Sequence, residues 1–252
     1  MVCCEENINL QVRSVNLLSA FFSFYTETDK NKQSSVLTCD SSPPQLSIKL
    51  PKPSDIHNTW VDWSEVELPI DVILLTAEEW EFLSCFAYLD AGPLKSYSKE
   101  IGYVYFGSMG GGDQGKLKIA LLQCSRGTAG PSGSLATVKN AVRVLGPTAV
   151  FSVGACSGLS PERAKLGDVV VSSKLTTSAH RTPVSRNMGY LIKDMKYGWV
   201  APLENRSDLE VGVHCDSDIL SQELAARFGW RVEDIMRQHP EATAVETEGE
   251  GK

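Results

Sequence analysis

Five small residues, Gly154 to Gly158, follow an apolar stretch near the middle of the chain and are candidates for a ligand-binding loop. The preceding residues 148–153 are rich in β-branched and aromatic side chains and too few for a helix, which predicts a buried strand. Glycine lets backbone N–H groups approach a ligand closely, and ligands of open α/β sheets bind at the carboxyl ends of the strands. An ordinary strand-to-helix turn fits the same pattern.

A second apolar run lies just beyond this loop. Gly167 and Asp168 turn the chain into residues 169–171, all valine, and the polar residues 172–174 are expected to end that strand. A buried strand, a loop of small residues and another buried strand would together form the floor of a pocket.

The elements around this segment alternate between strand and helix. Thr76 is the expected N-cap of the first helix. Alternation of this kind predicts βαβ units and a largely parallel sheet. The glycine-rich residues 107–115 join two strands and lack a phosphate-loop ending, so they indicate a mobile hairpin. The expected strands are 71–76, 102–107, 116–124 and 242–245, the expected helices are 77–89, 134–145 and 217–228, and residues 181–216 are expected to be rich in loops.

Composition excludes several classes of function. The formal net charge of −7 argues against sequence-independent nucleic-acid binding. No apolar run approaches the roughly 18 residues of a membrane span, and the start of the chain lacks a secretory leader. Seven cysteines without regular spacing and four scattered histidines indicate neither a disulfide framework nor a zinc site. We therefore expect a cytoplasmic protein without a cofactor, a bound metal or a membrane partner.

The amino-terminal quarter differs from the rest. Residues 1–68 are expected to form an extension and linker, partly disordered, and residues 69–252 the folded domain. Trp60 and Trp63 either cover an edge of the domain or belong to a peptide that binds a protein partner.

Three motifs in this order resemble the nucleoside phosphorylase superfamily, and most of all its methylthioadenosine/S-adenosylhomocysteine nucleosidase branch. They are the strand and helix start that end at Glu81, the segment SVGACSGL at 152–159 with LGDVVVS at 166–172, and VETEG at 245–249. The resemblance covers residues from about 71 to the end. It implies an α/β fold of three αβα layers with a mixed, largely parallel central sheet.

The resemblance also implies a site for a purine nucleoside or a 5′-thio derivative. Cleavage of an N-glycosidic bond builds positive charge on the ribose, which carboxylates stabilise. By motif position, Glu81 would activate the attacking water. The backbone of Ala155, Cys156 and Ser157 would border the base and the anomeric carbon.

The last motif would hold the sugar. Glu248 would accept hydrogen bonds from the two ribose hydroxyls, since a carboxylate has two acceptor oxygens. Glu246 would orient water or the neighbouring backbone. Thr247 stands beneath the sugar where the family usually has methionine.

Hydrolysis is favoured over phosphorolysis because the cations that hold phosphate are missing. Ser152 stands where phosphorylases of this superfamily have arginine, and Ala155 replaces the serine that binds phosphate. Arg126 is the one nearby candidate for anion binding, and a surface turn residue is the plainer interpretation of it.

The chain ends before the strand on which the family carries its general acid, an aspartate. We therefore expect a domain truncated at its carboxyl-terminal end, with weak or no turnover. The sequence leaves open whether the protein is an enzyme at all. A nucleoside-sensing or protein-interaction module and a phosphate-dependent phosphorylase remain alternatives, and the family resemblance makes a homo-oligomer a candidate state.

Overall fold

The computed structural model describes most of the chain from Gln45 onward. The described residues are 45–56, 59–90, 92–110, 115–125, 133–165, 167–177, 181–197, 200–204, 210–221, 229 and 231–246. Within them, ten strands form two five-stranded sheets.

The first sheet is built from the amino-terminal half of the domain. Its strand order is β2-β3-β4-β1-β5, with parallel pairing at β4-β1-β5 and antiparallel pairing at β2-β3-β4. Two helices of the same half pack on opposite faces of this sheet. The elements are β1 (Val72–Thr76), α1 (Glu79–Phe86), β2 (Leu94–Ser98), β3 (Gly102–Met109), β4 (Leu117–Gln123), α2 (Ser134–Leu145) and β5 (Ala149–Ser152).

The parallel strands of this sheet are buried on both faces, which explains why apolar and polar residues do not alternate along them. All five residues of β1 are buried. Leu74 packs toward α1 with Phe82 and Cys85, whereas Ile73 packs toward α2 with Leu145. Strands covered on both faces read as continuous apolar runs. The expected layers of helix, sheet and helix are therefore present.

The second sheet contains the segment that the sequence singles out. Its order is β6-β10-β9-β7-β8, parallel at β10-β9-β7 and antiparallel at both edges. The elements are β6 (Cys156–Gly158), β7 (Val169–Thr176), β8 (Arg181–Pro183), α3 (Arg186–Asp194), β9 (Val213–Ser221), α4 (Val232–Gln238) and β10 (Ala242–Glu246). The expected α/β class with a mixed, largely parallel sheet is confirmed, and it is divided between two sheets.

The predicted helix at 217–228 is wrong for the residues that can be checked. Residues 217–221 are the end of β9, while 222–228 lie outside the described residues. Ile219 and Leu220 pack into two different clusters on opposite faces of the sheet. A helical interpretation fails because a strand buried on both faces has no period that distinguishes it from a short buried helix.

Two boundaries also differ from expectation. The strand expected to end at residues 172–174 continues to Thr176, because β8 and β9 pair with it there. Thr76 is not the N-cap of α1: it is the last residue of β1, and its hydroxyl donates to the Leu122 carbonyl at 3.3 Å. The N-cap is Glu78. The sequence analysis also missed β2, α3, α4 and the short strands β6 and β8.

The described part of the amino-terminal segment lies against the domain. Leu46 forms a β-bridge with Leu203, and the ring of Trp63 lies 5.9 Å from that of Phe106. Trp60 bridges to Lys95 on the edge strand β2, which is the edge-covering arrangement. The first 44 residues lie outside the described residues, so a domain boundary at 68 stays a prediction. Within the described residues, no helix has the length and apolar character needed to cross a membrane.

Candidate functional site

Glu81 joins the start of α1 to the loop that follows β5. Its Oε2 accepts the backbone N–H groups of Ala77 and Glu78 at 3.0 and 2.9 Å, which closes the first turn of the helix. Its Oε1 accepts the N–H of Ala155 at 3.0 Å. The residue is only 2% exposed. A carboxylate suits this position because it has acceptors only and can serve three donors from two directions.

The charge of Glu81 affects the pKa of Cys85, which lies one helical turn further along α1. Burial and the Glu81 carboxylate together raise the pKa of Cys85 to about 12. Cys85 is completely buried, so its thiol is a core group and not a nucleophile.

The loop of small residues becomes a strand rather than a free turn. Cys156–Gly158 forms β6, which pairs antiparallel with β10. Cys156 lies directly opposite Glu246, and Ser157 lies opposite Val245. Directly opposed residues of an antiparallel pair project to the same face. The pairing therefore puts the Cys156 thiol and the Glu246 carboxylate on one face, although 90 positions separate them in the sequence.

The pKa of the Cys156 thiol agrees with this placement. Burial, and after it the charge of Glu246, raises the pKa of Cys156 to about 11. The thiol is therefore protonated at neutral pH, so Cys156 borders the site as a small, weakly polar side chain.

Gly158 allows a close approach of two backbone segments. A Cβ at this position would stand 2.6 Å from the carbonyl oxygen of Ala164. Any side chain would force the turn at 159–165 away from β6. The requirement for glycine here is steric, since no positive φ is recorded for this residue.

The structure brings together some of the predicted site residues. Glu81 contacts Ala155, and the next residue, Cys156, faces Glu246. The N–H of Ala155, one of the amides expected to face a ligand, is instead donated to Glu81. Ser157 is exposed and faces the opposite side from Cys156. Thr247, Glu248 and Arg126 lie outside the described residues, and their expected roles stay predictions.

Sequence reasoning missed a buried acid–imidazole pair beside the second sheet. His214 Nε2 lies 2.7 Å from Asp168 Oδ2, and the same carboxylate accepts the N–H groups of Gly212 and Lys165. Burial pushes the pKa of Asp168 up, but hydrogen bonds from His214, Gly212 and Lys165 outweigh it and hold that pKa below the ordinary value. No sequence signal pairs these residues, because His214 fell in a stretch expected to be loop.

A second network ties β8 to the residues before β10. The Arg181 guanidinium donates to Asp218 at 2.7 Å and also to Glu241. Asp218 is 3% exposed and accepts the Thr176 hydroxyl as well. The pKa of Arg181 is raised, first by Asp218 and then by Glu241. The network fixes the position at which the chain enters β10.

A separate cleft lies on the other side of α1. Its volume is about 570 Å³, and its lining includes Phe82, Tyr103, Tyr105, Gln123 and Asn140. None of the predicted site residues lines it. The side-chain amides of Gln123 and Asn140 already donate to backbone carbonyls.

The chemistry available at the Ala155–Cys156 segment is that of acceptors. Two carboxylates, one from α1 and one from β10, lie beside a backbone segment of small residues. Such a site suits a ligand that donates hydrogen bonds or carries developing positive charge. Among the described residues, no group of three or more His, Cys, Asp and Glu side chains could hold a metal ion.

Comparisons with known proteins give matches to solved structures alone. No protein-family model and no curated protein matches the sequence. The chain is similar to a putative 5′-methylthioadenosine/S-adenosylhomocysteine nucleosidase from Borrelia burgdorferi bound to adenine, with 13% identity, a TM-score of 0.46, and 71% of this chain and 76% of that chain covered. It is similar to a Streptococcus pneumoniae MTA/SAH nucleosidase in complex with 8-aminoadenine (16% identity, TM-score 0.45, coverage 71% and 76%). It is also similar to a putative methylthioadenosine nucleosidase from Weissella paramesenteroides (12% identity, TM-score 0.47, coverage 71% and 75%).

Proposed function

We propose that the protein binds a purine nucleoside, of the adenosine or 5′-methylthioadenosine class, beside residues 155–157. The observation that supports this most directly is the convergence of two acids on that segment. Glu81 holds the N–H of Ala155, and Glu246 stands opposite Cys156. These are the segments in which the sequence resembles nucleosidases.

The ligand class follows from the chemistry of the groups present. Ribose offers a pair of hydroxyl donors, which a carboxylate with two acceptor oxygens can engage together. In this proposal Glu248 takes that role, two residues beyond Glu246. Cys156 presents a protonated thiol and little bulk, which leaves room for a flat base near the backbone.

Hydrolysis of the N-glycosidic bond is the reaction proposed for this site. Water would attack the anomeric carbon with Glu81 as its general base, and the base would leave with the bonding electrons and take up a proton. The carboxylates would stabilise the positive charge that develops on the ribose.

A binding module without turnover is the second candidate, and the contacts of Glu81 favour it. Three backbone N–H groups already donate to its carboxylate. A water molecule would have to compete with them for the oxygen lone pairs. In this case the same pocket would bind the nucleoside and leave it intact.

Calorimetric titration and chromatography of released adenine separate these candidates. The full chain is titrated with methylthioadenosine, and base release is followed for the wild type and the Glu81→Gln, Glu248→Gln and Glu79→Gln variants. Glu79 lies in the same helical turn but is exposed, which makes it the matched control. Saturable binding by the wild type and Glu81→Gln, with release impaired in Glu81→Gln and Glu248→Gln alone, supports hydrolysis, because retained binding shows that Glu81→Gln is folded.

The other outcomes are equally informative. Saturable binding without release supports the binding module. Equal release by all four proteins rules out the assigned catalytic roles. Absence of binding by the wild type removes the nucleoside proposal altogether.

A further inference from the structure

An extra residue in β10 decides which face of the second sheet Glu246 occupies. β10 runs parallel to β9 with Ala242 opposite Asp218 and Ala244 opposite Ile219. Two steps along β10 thus match one step along β9, so Thr243 is the additional residue of a β-bulge. Bulges re-aim the side chains that follow them and are uncommon between parallel strands.

The hydrophobic clusters show that the side chains of β10 change face at the bulge. Ala242 packs in the same cluster as Val245, three positions later. Ala244 packs in a different cluster, together with Cys156. In a regular strand, residues 242, 244 and 246 would share one face. The bulge is therefore what turns Ala244 and Glu246 toward Cys156.

The carbonyl groups at the bulge accept hydrogen bonds from donors outside β9. The Arg163 guanidinium donates to the carbonyl of Ala242, and the N–H of Leu159 donates to that of Thr243 at 3.0 Å. Both donors come from the turn that follows β6. A bulge leaves backbone groups without ladder partners, and buried backbone groups left unpaired are costly.

We propose that Arg163 is a positioning residue that holds the β10 bulge and thereby keeps Glu246 on the face of Cys156. Without the guanidinium, the carbonyl of Ala242 loses this donor, and the bulge loses a contact that favours it over a regular strand. A strand without the bulge would carry Glu246 to the opposite face, since a shift of one residue exchanges the two faces. The consequence for ligand binding rests on the proposed function, whereas the placement of Glu246 does not.

Arg163→Met tests this, because it keeps most of the side-chain volume and removes every donor. Arg163→Lys restores one donor and is the conservative rescue. Arg237→Gln is the control, since Arg237 is exposed on α4 and pairs with Asp234 of the same helix. Arg163→Gln, which is too short to reach the carbonyl, replaces the Met variant if that variant fails to fold.

Two readouts are used, and the first needs no ligand. Alkylation of Cys156 is followed by peptide mass spectrometry at pH 9, where removal of the Glu246 charge should increase the thiolate fraction and the rate. The second is the dissociation constant for methylthioadenosine. We expect faster alkylation and binding weakened about tenfold or more in Arg163→Met, with values near wild type in Arg163→Lys and Arg237→Gln.

Thermal unfolding of each variant is recorded beside both readouts. A variant that is less stable but keeps the wild-type alkylation rate and affinity overturns the proposal, because a merely structural role would give that result. If the wild type binds no nucleoside, the proposed function fails and the alkylation rates alone decide the role of Arg163. Unchanged alkylation in Arg163→Met overturns the role whatever happens to binding.

Discussion

Replacing Glu81 by glutamine should destabilise the fold far more than the same change two residues earlier. The substitution keeps the shape of the side chain but turns one acceptor oxygen into an NH₂ donor. The remaining amide oxygen can accept two of the three N–H groups that Glu81 serves. With the amide oxygen in the place of Oε2, the N–H of Ala155 then faces another donor.

The magnitude follows from these contacts. One buried donor left unsatisfied costs about 1–3 kcal/mol, and a hydrogen bond to a neutral group contributes about 1 kcal/mol less than one to a charged group. The two bonds that survive become neutral and together lose about 2 kcal/mol, so we expect a total loss of about 3–5 kcal/mol. Glu79 also lies in the first turn of the helix but is exposed, and Glu79→Gln should cost only about 0.3–1 kcal/mol through the helix dipole.

Urea unfolding of the wild type and both variants, followed by circular dichroism, measures the difference directly. Equal m-values are required, since a changed slope would mean a changed amount of surface exposed on unfolding. A loss for Glu81→Gln within 1 kcal/mol of that for Glu79→Gln would refute the reasoning. It would mean that the carboxylate does not tie Ala155 to α1 in solution.

Three further predictions concern the second sheet. Gly158→Ala should lower the free energy of unfolding in urea by about 1–3 kcal/mol, because its Cβ would lie 2.6 Å from the Ala164 carbonyl oxygen. Gly189→Ala on α3 is the control: its Cβ would meet nothing within 4 Å, so the change should be neutral or stabilising. Equal effects of the two substitutions would contradict this prediction. The rate of Cys156 alkylation should be slow at neutral pH and rise toward pH 11, because the pKa of the thiol is raised to about 11. A half-maximal rate at or below pH 9.0, the ordinary pKa of a cysteine, would disprove this prediction. Asp168 has its pKa held below 3.8, so it stabilises the fold above that pH, and this contribution is lost as the pH falls through the folded-state value. The stability gap between wild type and Asp168→Asn should therefore shrink in acid, and a gap that is constant from pH 7 to 3 would count against the Asp168–His214 contact.

Local sequence patterns predicted several elements of the first sheet correctly. The helix expected at 134–145 is Ser134–Leu145 in the structure, and the strands expected at 102–107 and 116–124 are β3 and β4 with small shifts. These elements have clear periodicity or glycine boundaries, and β3 pairs with β4, the next strand in the chain. The start of α1 was misplaced because a side chain from within the helix, Glu81, caps it instead of Thr76.

The strands of the second sheet were harder to predict from the sequence, for a physical reason. Residues 217–221 of its central strand β9 are buried without alternation, so this short buried run does not distinguish strand from helix. Asp218 looked like a residue of a helix start, but Arg181 and Thr176 make it tolerable in the middle of a buried strand. Those partners are 37 and 42 positions away, beyond the reach of any local pattern.

The sequence alone determined the α/β class and the stretch of small residues at 154–158, and the motif ending at Glu81 drew attention to that acid through its resemblance to nucleosidases. Those features depend on composition and spacing within a few residues. Tertiary structure alone decided that the loop becomes β6, that Glu81 is occupied by backbone N–H groups, and that Glu246 faces Cys156. The contacts of Glu81 depend on a loop that lies 74 positions away in the sequence. The formation of β6 and the placement of Glu246 depend on strand pairing across long separations, and a shift of one residue in β10 would move Glu246 to the other face.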